Sequence, residues 1–469
     1  MPRFDPRGDE DPMSTLCRMV VGTTFSDLPD DLVRHARHTL LDGIGVTVGG
    51  SGMDGIAEIV DLVTANGGAA ESVVPCYGGR VPAAAAALAI GPMPRAMDCG
   101  DLHEEAGHVS EYAVASLLAA LGLRDDPVTG QEFLTALVVA QEVLVRIGTA
   151  YRVISSGIPA GDCGGHYVFG AVAAVGKLLG FSSEVLENAM GIARTMTAPH
   201  TMAIYSPATL MVRMHHGLVC QAAITACQLA ARGITGPREQ VLTGPKGFLA
   251  SARWETDPDV LTRDLGQRWA ASRITTKRHS ACYFSHSAID GITELLGANG
   301  VTAADVAGVH VAVSASGWNA VCEPEATAWH PRTVPECQFS LPYAVATAAL
   351  DGRVFVDSYS EDARARADVR ALMARVSAER DGTLPSWGAR VRVTLRDGRE
   401  VVGGYTTVKG HPDLPLDEHD LVEKFRACAA LSTVLPLDDG TVATLIDHIL
   451  ALEKVDDVER ALLLPLTPG

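Results

Sequence analysis

From about residue 28 to 270, apolar side chains return every three or four positions, the spacing that lays one stripe along a helix. Positions 32, 33, 36, 40, 41 and 44 form one such stripe. Further helices are predicted over roughly 53–65, 81–90, 111–122, 131–148, 168–179, 183–195 and 217–232, punctuated by Gly or Pro. Beyond about 272 the period changes. Val309, Val311 and Val313 alternate with other residues, as do Val391, Val393 and Leu395 ahead of an Asp397-Gly398 hairpin turn. Helical stretches near 285–296, 340–350 and 360–378 lie among these strands, and helices resume over 418–430 and 440–453. The pattern predicts a mainly α fold: a large all-α domain built from both chain ends (1–272 and 411–469) and a smaller inserted α+β domain (273–410).

Length supports two domains, because 469 residues exceed the ~250–300 at which a single core stops growing. The composition, 47% hydrophobic and 20% charged, is globular, and no uninterrupted apolar run of membrane-spanning length stands out. The first ten residues are polar and acidic where a secretion signal needs an apolar segment, so a cytoplasmic location is expected. A formal charge of −18 argues against nucleic acid as partner or substrate, since that binding depends on Lys and Arg meeting phosphates. Ten cysteines without a CxxC pair predict neither a zinc ribbon nor a disulfide framework. The excess of Arg over Lys, 32 to 6, fits a GC-rich bacterial genome.

The densest run of ionisable groups is Asp98-Cys99-Gly100-Asp101-Leu102-His103-Glu104-Glu105-Ala106-Gly107-His108. Ser110 reads as the N-cap of the next helix, which puts His108 beside the positive end of a helix dipole, where an anionic group can dock. A histidine there suits proton transfer near neutral pH, with a nearby Asp to fix its tautomer. A zinc helix motif fails on spacing: His103 and His108 are five apart rather than four, so no metal is expected. The bland alternative is a solvated interhelical loop.

Three other segments carry candidate groups. Residues 156–166 place glycines ahead of a helix and end on His166, which reads either as a close-packing loop or as a carboxylate cradle. Val212-Arg213-Met214-His215-His216-Gly217 and Lys277-Arg278-His279-Ser280-Ala281-Cys282 supply cations suited to a carboxylate.

In this order the segments resemble the MmgE/PrpD family, which includes 2-methylcitrate dehydratases, cis-aconitate decarboxylases and iminodisuccinate epimerases. The likeness rests on Asp98 to Leu102 with His108, Gly161–Gly170 with Lys177–Gly180, Val212–Gly217 with Gly233–Pro237, Ser285–Asp290, Gln338–Tyr343 and Lys409–Pro412. The resemblance implies a helical domain with an inserted α+β lid, a cleft between them, a homodimer, and cofactor-free chemistry on a small carboxylic acid through an enolate-like intermediate. It implies His108 as general base or acid, Asp98 orienting it, and His103 as an auxiliary acid or base. His166, Arg213, His215, Lys277, Arg278 and Cys282 would bind substrate. Four family positions differ: a Thr is Leu102, a His is Gly161, a Lys is Val212 and a His is Cys282. Those changes point to a different substrate, with His166 and Arg213 standing in for lost groups. A dehydratase or decarboxylase is the leading expectation; an isomerase using the same site and a non-catalytic homologue are the alternatives.

Overall fold

The structure is a computed structural model. It describes residues 11–151, 165–196, 209–252 and 255–468, with the backbone alone at 162–163 and 200–201. The fold is mainly α. The helices that matter for the site are α1 (Pro12–Gly22), α2 (Asp30–Gly50), α3 (Ile56–Asn66), α4 (Ala83–Ile90), α5 (Pro92–Ala96), α6 (Ser110–Ala120), α7 (Gly130–Tyr151), α8 (Tyr167–Leu178), α9 (Ser183–Met196) and α10 (Met211–Ala231). One apolar core joins these helices to Leu421, Phe425, Leu445, Ile449 and Leu462 from the far end of the chain. A second core is built from residues between 281 and 395.

The second core holds a four-stranded sheet ordered Glu400–Tyr405, Ala389–Leu395, Val306–Val313 and Val376–Arg380. The first two pairings are antiparallel and the last is parallel. Inward Ala389, Val391, Val393 and Leu395 alternate with more exposed neighbours, as the period-two pattern requires. Gly398, at φ +88°, makes the hairpin turn that links Ala389–Leu395 to Glu400–Tyr405.

Two expectations change. The helix expected over 360–378 is two short helices, Glu361–Ala365 and Ala367–Met373, followed by the strand Val376–Arg380, because pairing with Val306–Val313 outweighs local propensity. The helix expected to start at 217 begins at Met211, so His215 and His216 sit on it rather than ahead of it. α7 is long and apolar enough to cross a membrane by length and composition, although Glu142 and Arg146 interrupt its apolar run, and 94% of its apolar window is buried inside the protein, as suits a central core helix.

Helix packing around the site depends on glycine. α4 and α10 cross at Gly91 and Gly217, where a β-carbon on Gly217 would lie 2.2 Å from the Leu88 carbonyl oxygen and one on Gly91 would lie 2.7 Å from the Gly217 α-carbon. The crossing brings the first turns of α10 against α5 and α6.

Candidate active site

Three distant segments meet through a minimal ladder. Asp101 and Leu102 pair antiparallel with Thr276 and Thr275, and the Thr276 amide donates to the Gly410 carbonyl at 3.1 Å. This pairing delivers Lys277, the next residue, to Asp98: its Nζ donates to Oδ1 at 2.7 Å and to the backbone carbonyl at 3.2 Å. From the other side, Arg95 on α5 donates to the same oxygen at 2.6 Å. Asp98 holds the left-handed conformation, φ +47°, which is uncommon outside glycine and is tolerated best by Asp and Asn. Burial raises the affinity of its carboxyl for a proton, but Arg95, Lys277 and His108 together hold it below the usual carboxylate range.

Arg213, in the first turn of α10, is completely buried. One nitrogen donates to the Asp54 carbonyl at 3.2 Å, while Nε and the second terminal nitrogen have no hydrogen-bond partner among the described residues. Burial, aided by repulsion from Arg95, lowers its guanidinium to about 10.

His108 lies just ahead of α6, but its nearest carboxylate is Glu111 rather than Asp98: Nδ1 is 3.2 Å from Glu111 Oε2. Asp98 is occupied by its two cations, so the expected Asp98–His108 orientation gives way to Glu111, one helical turn along. Burial lowers the proton affinity of His108, and Glu111 offsets this only in part. Burial also works against ionised Glu111, yet the neighbouring imidazoles hold it well below the usual range. His216 on α10 approaches the same Oε2 at 3.0 Å, and burial brings its imidazole down to about 3. Gly100 makes room for this carboxylate, since a β-carbon there would lie 2.2 Å from Glu111 Oε1.

Ser110 is the first helical residue rather than the cap, and its amide donates to Asp101 Oδ1 at 2.8 Å. That carboxylate already occupies the helix N-terminus, so the expected docking of an external anion there does not apply. The other predicted residues divide. His215 contacts Tyr112 at 3.0 Å within the same neighbourhood. Cys282 is buried, with its thiol pushed up to about 12 by burial; Asp98 and Lys277 act on it electrostatically, so it sits near the cluster as a neutral thiol. His166 spends Nε2 on the Ala106 carbonyl at 2.7 Å. Arg278 is over half exposed and faces Asp290 at 3.8 Å, outside the cluster. His103 Nδ1 accepts from the amides of Glu105 and Ala106, and the residue lines a separate cleft of about 230 Å³ with Arg146, Arg263, Trp269 and Arg273. The glycine-rich stretch through Gly161 and Gly164 lies outside the described residues, apart from the backbone at 162–163.

Sequence reasoning did not single out Arg95, Glu111, His216 or Tyr112. Glu111 and Arg95 each had a signal, a spacing of three from His108 and from Asp98; what no spacing records is the tertiary contact that adds Lys277 to the Arg95–Asp98 pair.

Residues 14–260 match the MmgE/PrpD N-terminal domain and residues 279–451 the MmgE/PrpD C-terminal domain. The chain belongs to the MmgE/PrpD family. Similar MmgE/PrpD relatives include a cis-aconitate decarboxylase-like protein, oryM, of Aspergillus oryzae, 29% identical over 96% of this chain and 96% of its own length. The cis-aconitate decarboxylase of Aspergillus terreus is 25% identical over 96% and 94% of the two chains, and that of Homo sapiens 29% over 81% and 78%. These relatives are fungal and mammalian, so they lend no support to the bacterial origin expected from Arg usage.

Proposed function

We propose that this chain is a lyase that decarboxylates a small acid carrying at least two carboxylates. The observation that carries the reading is the charge balance around Asp98: two buried cations, Arg95 and Lys277, pair with one buried carboxylate, and a third buried cation, Arg213, on which Arg95 and Asp98 act through space, has two nitrogens that point to no described partner. A buried surplus of positive charge is costly unless an anion completes it. A dianionic substrate supplies that partner beside His108, the group positioned to move a proton. Relatives named as cis-aconitate decarboxylases favour the same reaction class.

In the proposed reaction the carbon–carbon bond to one carboxylate breaks and carbon dioxide leaves. The electron pair passes into the remaining conjugated acid as an enolate-like anion, held by the Arg and Lys side chains, and a proton from His108 completes the product. Leu102 packs with Tyr283, Val408 and Trp387, an apolar patch that offers no cation for a further carboxylate. The favoured substrate therefore differs from the tricarboxylate named for the relatives. One observation favours a second reading: burial holds His108 neutral, the state of a base, which suits dehydration or epimerisation begun by proton abstraction.

Incubating the protein with a panel of dicarboxylic and tricarboxylic acids, followed by mass spectrometry in heavy water, separates these. Loss of carbon dioxide supports the proposal; loss of water, or deuterium uptake without net loss of substrate, supports the second reading. No change in any acid removes both. A homodimer belongs to the same proposal: Leu210, Met211 and Leu218 are exposed at the start of and along α10, and light scattering on the purified chain is expected to give twice the monomer mass.

A further inference from the structure

Between Ala96, the last residue of α5, and the ladder at Asp101, the chain is buried but follows no helix or strand. Its carbonyls therefore need donors from elsewhere. Four consecutive carbonyls each accept from a side chain: Gln338 Nε2 donates to Ala96 at 3.2 Å, Ser280 Oγ to Met97, Lys277 Nζ to Asp98 at 3.2 Å and Lys424 Nζ to Cys99. These donors come from three parts of the chain. Gln338 ends a helix of the α+β domain (Val334–Gln338), Lys277 and Ser280 follow the ladder residues Thr275 and Thr276, and Lys424 lies on the late helix Glu418–Ala430.

Lys424 reaches both halves of the Asp98–Lys277 pair. Besides the Cys99 carbonyl, its buried ammonium donates to the Lys277 carbonyl at 2.7 Å and forms an ion pair with Asp42 on α2. All three of its protons are thereby committed. Gln338 holds the other end of the loop, and is itself fixed where its carbonyl accepts from the Cys282 amide at 2.8 Å. Between these two anchors Asp98 keeps its left-handed backbone, φ +47°, a conformation that persists only where the surroundings hold it.

We propose that Lys424 and Gln338 are positioning residues for substrate binding: they clamp the Asp98 loop, one from the helical domain and one from the α+β domain, and so set Asp98 and Lys277 relative to Arg95. The proposal rests on the reading that these charges meet substrate carboxylates. His108 is held separately, beside Glu111 at the start of α6. Loosening the clamp therefore weakens substrate capture more than proton transfer. A merely structural role has a different signature, because a variant that is partly unfolded loses active molecules, which lowers kcat and leaves KM alone. A lost clamp raises KM and spares kcat.

The test combines amide hydrogen exchange of the full chain, read by mass spectrometry without substrate, with steady-state kinetics on the acid that the panel identifies. Lys424→Met, which keeps the length of the side chain, is expected to speed exchange about 10-fold or more in peptides covering 95–102 and 275–280, beyond any change elsewhere. The same variant is expected to raise KM about 10-fold, the loss of one hydrogen bond from a charged donor, with kcat within about twofold. Asp42→Asn, which removes the ion pair but neither carbonyl bond, is expected to lower the melting temperature without either effect. Gln338→Met is expected to speed exchange over 95–102 alone, and it decides the matter if Lys424→Met does not fold. Exchange that rises evenly along the chain, or equally in Asp42→Asn, overturns the proposal, as does a fall in kcat at constant KM. If no acid reacts, the lyase reading fails by itself, and the exchange pattern still decides whether the two residues hold the loop.

Discussion

Arg213 shows how one side chain ties function to instability. A fully buried guanidinium with two nitrogens lacking described partners lowers stability, and an arriving carboxylate restores the balance. Arg213→Met is therefore expected to raise the melting temperature by calorimetry while raising KM roughly 10-fold or more, the loss of one charge-assisted hydrogen bond. A variant that melts lower and binds substrate unchanged would refute this. His108 carries the opposite signature. His108→Gln removes the group that moves the proton, and kcat is expected to fall about 10²–10⁴-fold in steady-state assays, with the far-UV spectrum preserved. Both residues were legible in the sequence as chemistry, Arg213 as a cation and His108 as an acid or base. What the sequence did not reveal was which carboxylate serves which partner. Asp98 is ten residues from His108 yet belongs to Lys277, 179 residues away, because a two-residue ladder outranks chain proximity.

At the level of elements, α10 is the support on which Arg213, His215 and His216 are mounted, and its position is set one turn later at Gly217. Backbone atoms, not a flexible side chain, stand where a Gly217 β-carbon would go, so the helix must shift to admit one. Gly217→Ala is expected to cost about 1–3 kcal/mol in urea unfolding and to reduce turnover with it, since displacement of α10 moves the site residues together. An unaffected kcat in a correctly folded variant would show that the crossing does not position them. The 3.6-residue stripe announced α10 but placed its start six residues late, because Val212-Arg213-Met214-His215-His216 reads as polar sequence until Arg213 and both histidines are seen to be buried.

Across the whole molecule, histidines buried as neutral groups set the acid limit of stability. Burial, with His38 nearby, holds His35 down at about 4, and burial with Arg273 and His411 does the same to His103. Unfolded histidine titrates near 6.5, so between pH 6.5 and 4 the unfolded chain binds more protons than the folded one. Stability is then full above about pH 6.5 and falls as the pH drops toward 4, by up to ~1.4 kcal/mol per pH unit for each group. Urea midpoints measured across this range are expected to decline, and His35→Gln to flatten the slope; an equally steep decline in the variant would assign it elsewhere. The sequence by itself determined the mainly α class, the change of character after about 272, and the segments that hold the chemistry, because periodicity and residue type are local properties. Tertiary structure alone decided the membership of the site. It brought Lys277 to the local Arg95–Asp98 pair, buried Arg213 within reach of their charges, set His216 beside the local His108–Glu111 pair, filled the N-terminus of α6 with Asp101, and left Arg278 and His103 outside. The physical reason is that a buried charge is tolerable only where another element supplies its partner, and no local pattern records which element that is.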